Sequence, residues 1–420
     1  MRRMSALLSV GLLSLVAAAS ADAAPRYASP TGLSTDPCSA VAPCDLVTAA
    51  NSGVAGDEVI VTPGTYTLGP ADTLFVPTGG SMHGIAGMAR PQLISNAPTA
   101  VAANGVATTL TDLKVSHSGA NSAITIGGTG TIADRIEVSS DGSATCRLTA
   151  GAIIRDSVCR NIRSSGDGIA LAYSDNTGGT AYARNVTAIA DGSSGYGVNM
   201  VAGSPAVTFD LRNVIAHGST FDVALNSLAA SSGNLALANS NWVTSATAGA
   251  GVSTVTPAGS PTNQTTPPVF VNAAGGDYRQ AADSPTIEAG LADAKTGPLD
   301  FEGQARSQGT SVDIGADEFA PAVVPPPPDT TAPQTSIGKG PKRKSKSTKA
   351  TFIFSADEPG STFACKLDKG SFSACTSPLE LKRLKKGKHT FTVVATDSSG
   401  NADATAATYK WKVKRKRKKK

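Results

Sequence analysis

The feature that most constrains this chain is a short motif that recurs between residues 105 and 245. Each copy has a polar anchor residue followed by alternating apolar positions. The copies are TDLKV, DRIEV, RDSVC, RNVTA, RNVIA and ANSNW, with anchors Asp112, Arg135, Asp156, Asn185, Asn213 and Asn239. The anchors are 23, 21, 29, 28 and 26 residues apart. A repeat of this length, with short strands and no helical period, is typical of a β-solenoid.

The first and third positions after each anchor predict the core. Strand alternation places both positions on one face, so stacked coils would form continuous inward ladders. These positions are Leu113 and Val115, Ile136 and Val138, Ser157 and Cys159, Val186 and Ala188, Val214 and Ala216, and Ser240 and Trp242. The anchors would stack as well, with Asn185 and Asn213 able to hydrogen-bond along the axis. An ordinary β-sandwich with coincidental spacing is the alternative.

The N-terminus has the pattern of a secretory signal peptide over residues 1–23. Arg2 and Arg3 precede an apolar run over residues 6–19, and Ala21-Asp22-Ala23 is a small-x-small cleavage site. The run is shorter than the roughly 20 residues of a spanning helix, and no later segment is long and apolar enough. We therefore expect a secreted, extracellular protein without a transmembrane segment, associated with the cell wall or surface. An uncleaved anchor is the alternative.

The six cysteines fall into three local pairs, which export would allow to oxidise. A zinc site is less favoured, because the sequence has no C-x-x-C pair and no histidine at ligand spacing from a cysteine. The predicted disulfides are Cys38–Cys44, Cys146–Cys159 and Cys365–Cys375.

Composition divides the chain into segments. The solenoid is expected over residues 24–320, and the proline-rich run over residues 321–331 is a semi-rigid linker. Residues 332–413 contain short alternating strands separated by turns, as in a small β-sandwich. Residues 414–420 are almost purely basic and are predicted to be disordered.

Charge is distributed unevenly between these segments. From residue 336 onward there are 22 Lys and Arg against 6 Asp and Glu, whereas the rest of the chain has 15 against 26. Such a tail binds polyanions by counterion release, without sequence specificity, and a solubilising charged end is the alternative. Export disfavours a specific nucleic-acid partner. The tail residues are Lys414, Arg415, Lys416, Arg417, Lys418, Lys419 and Lys420.

Three stretches resemble known families. PCSAVAPCDLVTAANSGVAGDEVIVTPGTYTL resembles the first coils of right-handed parallel β-helix proteins of the pectate-lyase-like superfamily. DFEGQARSQGTSVDIGADEF, with Asp300, Gly303 and Arg306, resembles the C-terminal end of the choice-of-anchor Q group. FACKLDKGSFSACTSPLELKRLKKGKHTFTVVATDSSGN resembles a bacterial Ig-like domain. The resemblance implies an all-β protein, a right-handed parallel β-helix followed by an Ig-like β-sandwich. It says little about function, because this fold supports many activities.

One candidate catalytic site combines SSGDGIAL and AHGS, which loosely resemble the Gly-Asp-Asp and Gly-His-Gly elements of β-helix polygalacturonases. The resemblance implies roles for Asp167 and His217. Inverting glycosidases need two carboxylates about 6.5–9.5 Å apart. Here Gly168 stands in place of the second acid, and Gly-Asp-Gly is also an ordinary turn.

A second candidate is a calcium-dependent lyase site. It would use the carboxylates Asp134 and Asp156, with Glu137, and Arg155 as a base, all on adjacent coils. Ca²⁺ enters only in this alternative, and no other cofactor is expected. Charged residues on the outside of a solenoid are more often solvated or ion-paired.

The stretch VDIGADEF, residues 312–319, contains three acids. Strand geometry places the carboxylates of Asp313 and Asp317 about 13 Å apart, too far to share an ion. We therefore expect a structural cap formed by Asp313, Ile314, Gly315 and Glu318. In this interpretation Asp313 pairs with Arg306 or with backbone N–H groups, while Ile314 and Phe319 cover the last coil.

These features predict a monomeric binding or adhesion protein whose partner is a polysaccharide or another anionic polymer of the cell envelope. The first alternative is a polysaccharide lyase or glycoside hydrolase acting on an acidic polysaccharide. The second is a passive structural protein of the envelope. The sequence favours a protein without catalytic activity but does not decide the question.

Overall fold

The computed structural model describes residues 23–203, 206–258, 260–320 and 329–414. It contains two compact units, Met1–Pro321 and Ala322–Lys420. Residues 1–22 of the predicted signal peptide and Arg415–Lys420 of the basic tail lie outside the described part. None of the helices in the described ranges has the length and apolar character to cross a membrane.

The first unit is a parallel β-helix, as the sequence predicted, and two sheets run along it. The first sheet contains Pro25–Ala28, Glu58–Val61, Thr65–Leu68, Ser81–Gly84, Gln92–Ser95, Thr109–Thr111, Lys114–His117, Ile132–Asp134, Glu137–Ser140, Ile153–Asn161, Gly179–Ala190, Val207–Gly218, Ser232–Ala238 and Val252–Val255. The second contains Leu74–Phe75, Val101–Ala103, Ser122–Ile126, Ala144–Leu148, Asp167–Asp175, Ser194–Ala202, Phe221–Ser227 and Ser245–Ala248. A short α-helix, Leu46–Asn51, precedes the strand Glu58–Val61.

The polar anchors mark a bend in each coil. All six have a left-handed backbone, with φ between 48° and 55°. In the coil around Asp112, for example, the bend separates the strands Thr109–Thr111 and Lys114–His117. Asn and Asp tolerate this conformation better than most residues because their short side chains bond locally. The repeated motif therefore marks the same left-handed bend in each of these coils.

The inward ladders and the asparagine stack are confirmed. All twelve predicted core positions are buried, from Leu113 at 0% exposure to Ala216 at 3%. The side-chain amide of Asn213 donates to Oδ1 of Asn185 on the neighbouring coil at 3.4 Å. The core therefore extends along the axis as stacked rows of small and branched side chains.

The structure contains disulfides between the same three cysteine pairs that the sequence singled out. Cys38–Cys44 closes a short loop between the strand Pro25–Ala28 and the helix, and Cys365–Cys375 lies in the second unit. Cys146–Cys159 connects the two sheets across the core, with 6.0 Å between its Cα atoms. Such bonds fit an oxidising compartment.

After its last coils the chain turns back along the outer face of the first sheet. We call residues 270–319 the return segment. It begins with a hairpin of Phe270–Asn272 and Asp277–Gln280, with a 3-10 turn at Ala273–Gly275. The segment then crosses the coils towards the N-terminus, where Asp293 pairs with Arg184 and Phe301 lies under Arg90, and it returns over the middle coils to Asn213.

The predicted position of VDIGADEF as a cap over the last coil is wrong. The segment lies against the side of middle coils. The amide of Gly315 donates to the Asn213 carbonyl at 2.8 Å, and Asn185 donates to the Asp313 carbonyl at 3.1 Å. Ile314 packs in a buried cluster on the outer face of the first sheet, together with Ile215. The outer surface of the sheet is apolar there, and covering it removes this apolar area from water.

Of the two partners expected for Asp313, the backbone is the one observed. Its carboxylate accepts hydrogen bonds from the amides of Glu288 and Phe319, at 2.6 and 2.7 Å. Arg306 instead contacts Asp156 and Glu318. Phe319 therefore helps to fix Asp313 and does not cover a coil.

The second unit is a β-sandwich. One sheet contains Thr335–Lys339, Ala350–Ala356 and Leu379–Leu381, and the other contains Lys344–Ser345, Thr362–Leu367, Ser373–Cys375, Gly387–Thr396 and Ala407–Val413. Phe352 of the first sheet stacks on Phe391 of the second, with ring centroids 4.1 Å apart. Membership of the Ig-like family stays a prediction.

Candidate functional site

The structure separates the predicted catalytic residues into two groups. Asp167 lines a groove on the outer face of the second sheet, and His217 ends a strand of the first sheet. Asp134, Arg155 and Asp156 lie at the anchor bends of the first sheet, beside the return segment. The groups therefore do not form one active centre.

The groove on the second sheet is shallow, about 350 Å³ in volume. Register places Ile169, Tyr196 and Phe221 side by side on three consecutive strands. The two aromatic rings are 6.3 Å apart and inclined by 32°, and both side chains are half-buried. The two rings project from a surface that is otherwise lined partly by small residues, including Ala224, Ala246 and Ala248.

Polar groups surround the aromatic pair. Asn199 and Asn226 line the groove together with the exposed Asp167. In the described part of the chain, Oδ1 of Asn199 is buried and has no hydrogen-bond partner. A buried acceptor without a partner is uncommon and needs an explanation such as a missing ligand or water.

His217 has a partner that sequence reasoning missed. Its Nδ1 lies 3.4 Å from Oδ1 of Asp222, with the histidine 64% exposed and the aspartate 5% exposed. Asp222 is itself held by the amides of Gly218, Val243 and Thr244. The only signal in the sequence was the acid five residues after the histidine.

This contact changes the protonation of both groups. The hydrogen bond to Asp222 raises the pKa of His217 above its ordinary value. Burial would raise the pKa of Asp222, but the hydrogen bonds from His217 and the backbone amides lower it. An ionised carboxylate behind an exposed imidazole is an arrangement that can move a proton.

The aromatic groove of the second sheet and the His217–Asp222 pair are near one another in the fold. Phe221 directly precedes Asp222 in the sequence, and Tyr196 directly precedes Gly197. A Cβ on Gly197 would lie 2.6 Å from the amide nitrogen of His217, so the two backbones meet at this point. The glycine allows the strand that carries His217 to approach the second sheet.

In the second group of predicted residues, Asp134 and Asp156 form ion pairs with arginines. The Asp134 carboxylate lies between Arg135 and Arg155, at 3.3 and 2.9 Å. Asp156 has 0% side-chain exposure and pairs with Arg306 at 2.8 Å. Burial raises the pKa of Asp156 to about 6, although Arg306 opposes the shift. A substrate has no access to Asp156, so its predicted catalytic role is wrong.

The remaining acid of the lyase hypothesis is also paired. Glu137 contacts Lys114 at 2.7 Å on the outer face of the first sheet. The pair lines a groove of about 430 Å³ between that face and the return segment, together with Arg160, Tyr278 and Glu302. Calcium binding at Asp134, Glu137 and Asp156 receives no support from this geometry.

One group of three acids in the described residues is close enough to share an ion. It consists of Asp329, Glu358 and Asp397 in the second unit. Asp397 accepts hydrogen bonds from Asn401, which fixes the turn without a metal. This group is therefore separate from both predicted sites.

No family model matches the chain, and no curated protein matches it. Among solved structures, the A-module of mannuronan C-5 epimerase AlgE4 from Azotobacter vinelandii is 12% identical, over 53% of this chain and 94% of that one, with a TM-score of 0.19. WceF from Pantoea stewartii, a glycan biofilm modifying enzyme with a tailspike-like parallel β-helix, is 10% identical, over 84% and 51%, with a TM-score of 0.15. These similarities are too low to transfer an activity.

Membership of the choice-of-anchor Q group stays a prediction. The assignment of a parallel β-helix comes from the strand pairing, which is parallel throughout both long sheets, as between Gly179–Ala190 and Val207–Gly218. What the protein binds has to be argued from its own surface.

Proposed function

We propose that the protein binds an extended saccharide in the groove on the second sheet of its β-helix. We call the surface formed by Asp167, Tyr196, Asn199, Phe221 and Asn226 the saccharide face. The observation that carries this proposal is the pair Tyr196 and Phe221, held in register on neighbouring strands of a rigid sheet. Aromatic rings present apolar faces at a low cost in conformational freedom. The C–H faces of pyranose rings pack on such surfaces.

The polar residues of the saccharide face suit the hydroxyl groups of the same ligand. Asn199 and Asn226 offer both donors and acceptors, and Asp167 offers acceptors. The buried Oδ1 of Asn199 gains a partner when a sugar hydroxyl donates to it. A mixture of apolar surface with few polar groups is characteristic of small-molecule and cofactor sites.

The fold favours a chain-like ligand. Successive coils repeat about every 4.8 Å, so a ligand along the axis meets equivalent positions of one strand after another. The predicted export and the three disulfides support a location outside the cell in this proposal. Its role there is adhesion to a polysaccharide of the cell surface or matrix.

Substitution of the aromatic pair tests the proposal. We expect Tyr196→Ala and Phe221→Ala each to weaken saccharide binding about tenfold, because each removes a stacking surface of about 1.5 kcal/mol. Glycan arrays followed by calorimetry on the best ligand measure the effect. Phe75→Ala is the matched control, since Phe75 is 58% exposed and outside this groove. Unchanged affinity in Phe221→Ala, or an equal loss in the control, would show that the ligand binds elsewhere.

The His217–Asp222 pair favours one second candidate, a polysaccharide lyase or glycoside hydrolase. His217 would serve as the acid or base and Asp222 would orient it. Incubation with a panel of acidic polysaccharides, followed by absorbance of unsaturated products and by reducing ends, tests this activity. Product that disappears in His217→Ala would establish an enzyme. Binding without product would support the adhesion proposal alone. If neither binding nor product were detected, a passive structural protein would be indicated.

A further inference from the structure

The five-stranded sheet of the sandwich carries a row of lysines. Register places Lys344 opposite Lys412, and Lys412 opposite Lys388 on the next strand. Residues that are directly opposite project from the same face of a sheet. All three side chains are exposed. Because adjacent strands are about 4.8 Å apart, the lysines form a line across three neighbouring strands.

This face carries two further lysines. Along the strand Ala407–Val413 and the residue after it, exposed Lys410, Lys412 and Lys414 alternate with buried Trp411 and Val413. The apolar residues point into the core, so the lysines all project outward. We call Lys344, Lys388, Lys410, Lys412 and Lys414 the lysine face.

No acid compensates the row within residues 329–414. The lysines that form ion pairs there are Lys349 and Lys382, both with Glu380. Glu380 belongs to the other sheet of the sandwich. Over this range the domain has 16 Lys and Arg against 7 Asp and Glu, so its surroundings are positive as well.

Like charges directly opposite one another destabilise a sheet. The row therefore lowers the stability of the free domain, and an anionic partner would remove that repulsion. Binding to a polyanion also releases its condensed counterions, which adds a favourable, salt-dependent term. A linear polymer with regularly repeated charges satisfies several lysines of the row at once.

We propose that the lysine face binds a linear acidic polysaccharide. Half-buried Thr390 and exposed Thr408 lie on the strands beside the row, and their hydroxyls suit sugar hydroxyls, whereas single-stranded nucleic acid is usually held by aromatic residues. The proposal is independent of the saccharide face on the β-helix. It also differs from the expectation for the basic tail, because these residues belong to a folded sheet.

The test compares two triple variants of the full chain. Lys344→Gln with Lys388→Gln and Lys412→Gln neutralises the row. Lys339→Gln with Lys369→Gln and Lys385→Gln removes the same charge from exposed positions outside it. Polygalacturonate and dextran sulfate are the probes, as a carboxylate and a sulfate polymer, with duplex DNA and anionic vesicles for comparison. Affinity is measured from 50 to 300 mM salt.

We expect the row variant to bind at least one of the two polysaccharides about tenfold to a hundredfold more weakly, with a shallower salt dependence. The control variant should stay within about threefold of the parent. The melting temperature of the row variant should be equal to that of the parent or higher, because repulsion has been removed. This readout separates lost binding from lost folding.

Three outcomes would overturn the proposal. Equal losses in both variants would show that only net charge matters. Full binding by the row variant, lost on deletion of residues 415–420, would assign polyanion binding to the tail. Tighter binding to duplex DNA or to vesicles than to either polysaccharide would assign the face to another partner.

Discussion

Replacing Arg306 with methionine is expected to cost about 3–5 kcal/mol of the free energy that holds the return segment on the β-helix. The guanidinium is 3% exposed and contacts Asp156, which has 0% exposure, at 2.8 Å. It also contacts Glu318 at 3.4 Å and donates to the carbonyls of Ala316 and Asp317. Its removal leaves buried carboxylates without a cation and two buried carbonyls without this donor.

Native-state hydrogen exchange at pH 7 measures this effect locally. The amides of Gly315 and Ala316 are reporters, because they donate to Asn213 and Thr187 of the β-helix only while the segment is docked. Arg279→Met is the control. Arg279 pairs with Asp277 but is 47% exposed, so its loss should cost no more than about 1 kcal/mol.

A second substitution distinguishes an uncompensated charge from a general packing defect. Asp156→Asn in the Arg306→Met background removes one buried charge and keeps the left-handed bend, since Asn occupies the equivalent anchor at Asn185 and Asn213. Part of the lost stability should return. Exchange at Gly315 that is equally slow in Arg306→Met and in the parent would contradict the proposed role of Arg306.

The sequence predicted the β-helix because each coil repeats the same physical requirement. A left-handed bend recurs at Asp112, Asn185 and Asn213, and two inward apolar residues follow each bend. A local constraint of this kind leaves a period in the sequence. Buried ladders and parallel register follow from it, and both were predictable.

The contacts that dock the return segment do not recur at a regular spacing in the sequence. Arg306 and Asp156 are 150 residues apart, and Asp313 and Asn185 are 128 residues apart. Each contact occurs once, and a single pair of charges does not identify its partner in a sequence. The acids of VDIGADEF were therefore interpreted as a cap at the end of the solenoid.

The aromatic pair of the saccharide face was also missed, although a signal existed. Ile169, Tyr196 and Phe221 are 27 and 25 residues apart, which is close to the spacing of the anchors in the same coils. The second sheet has no recurring polar anchor from which its register could be recognised in the sequence. Aligning the surface positions of successive coils at this spacing places Tyr196 beside Phe221.

The stability of the docked return segment is expected to fall as the pH rises from 5 to 8. Burial raises the pKa of Asp317 to about 7 and that of Glu318 to about 7, whereas both are near 4 in an unfolded chain. The docked state therefore binds protons more tightly. This contribution is complete below about pH 4 and is lost as the pH rises to about 7. The loss between pH 5 and pH 8 is about 2–3 kcal/mol for each carboxyl.

The surroundings of these two carboxyls determine the sign. Arg306 is the buried cation facing them, and its attraction is too small to offset burial and the neighbouring acids. The facing charged groups on the return segment and the sheet are Asp156, Arg279, Asp300, Glu302, Arg306 and Asp313. With one buried cation among several acids, the two carboxyls stay protonated to a higher pH than in an unfolded chain.

The variant Asp317→Asn with Glu318→Gln isolates this effect from that of the other titratable groups. The Asp317 carboxylate accepts a hydrogen bond from the backbone amide of Gln280 at 2.6 Å, and the side-chain oxygen of asparagine can accept the same bond. We expect the variant to have a flatter dependence of opening free energy on pH, after correction for intrinsic exchange rates at Gly315. A parent whose segment becomes more stable from pH 5 to pH 8 would show that the two carboxyls are ionised and well paired. In that case Arg306 would dominate the electrostatics of the docked segment, and burial would be the smaller effect.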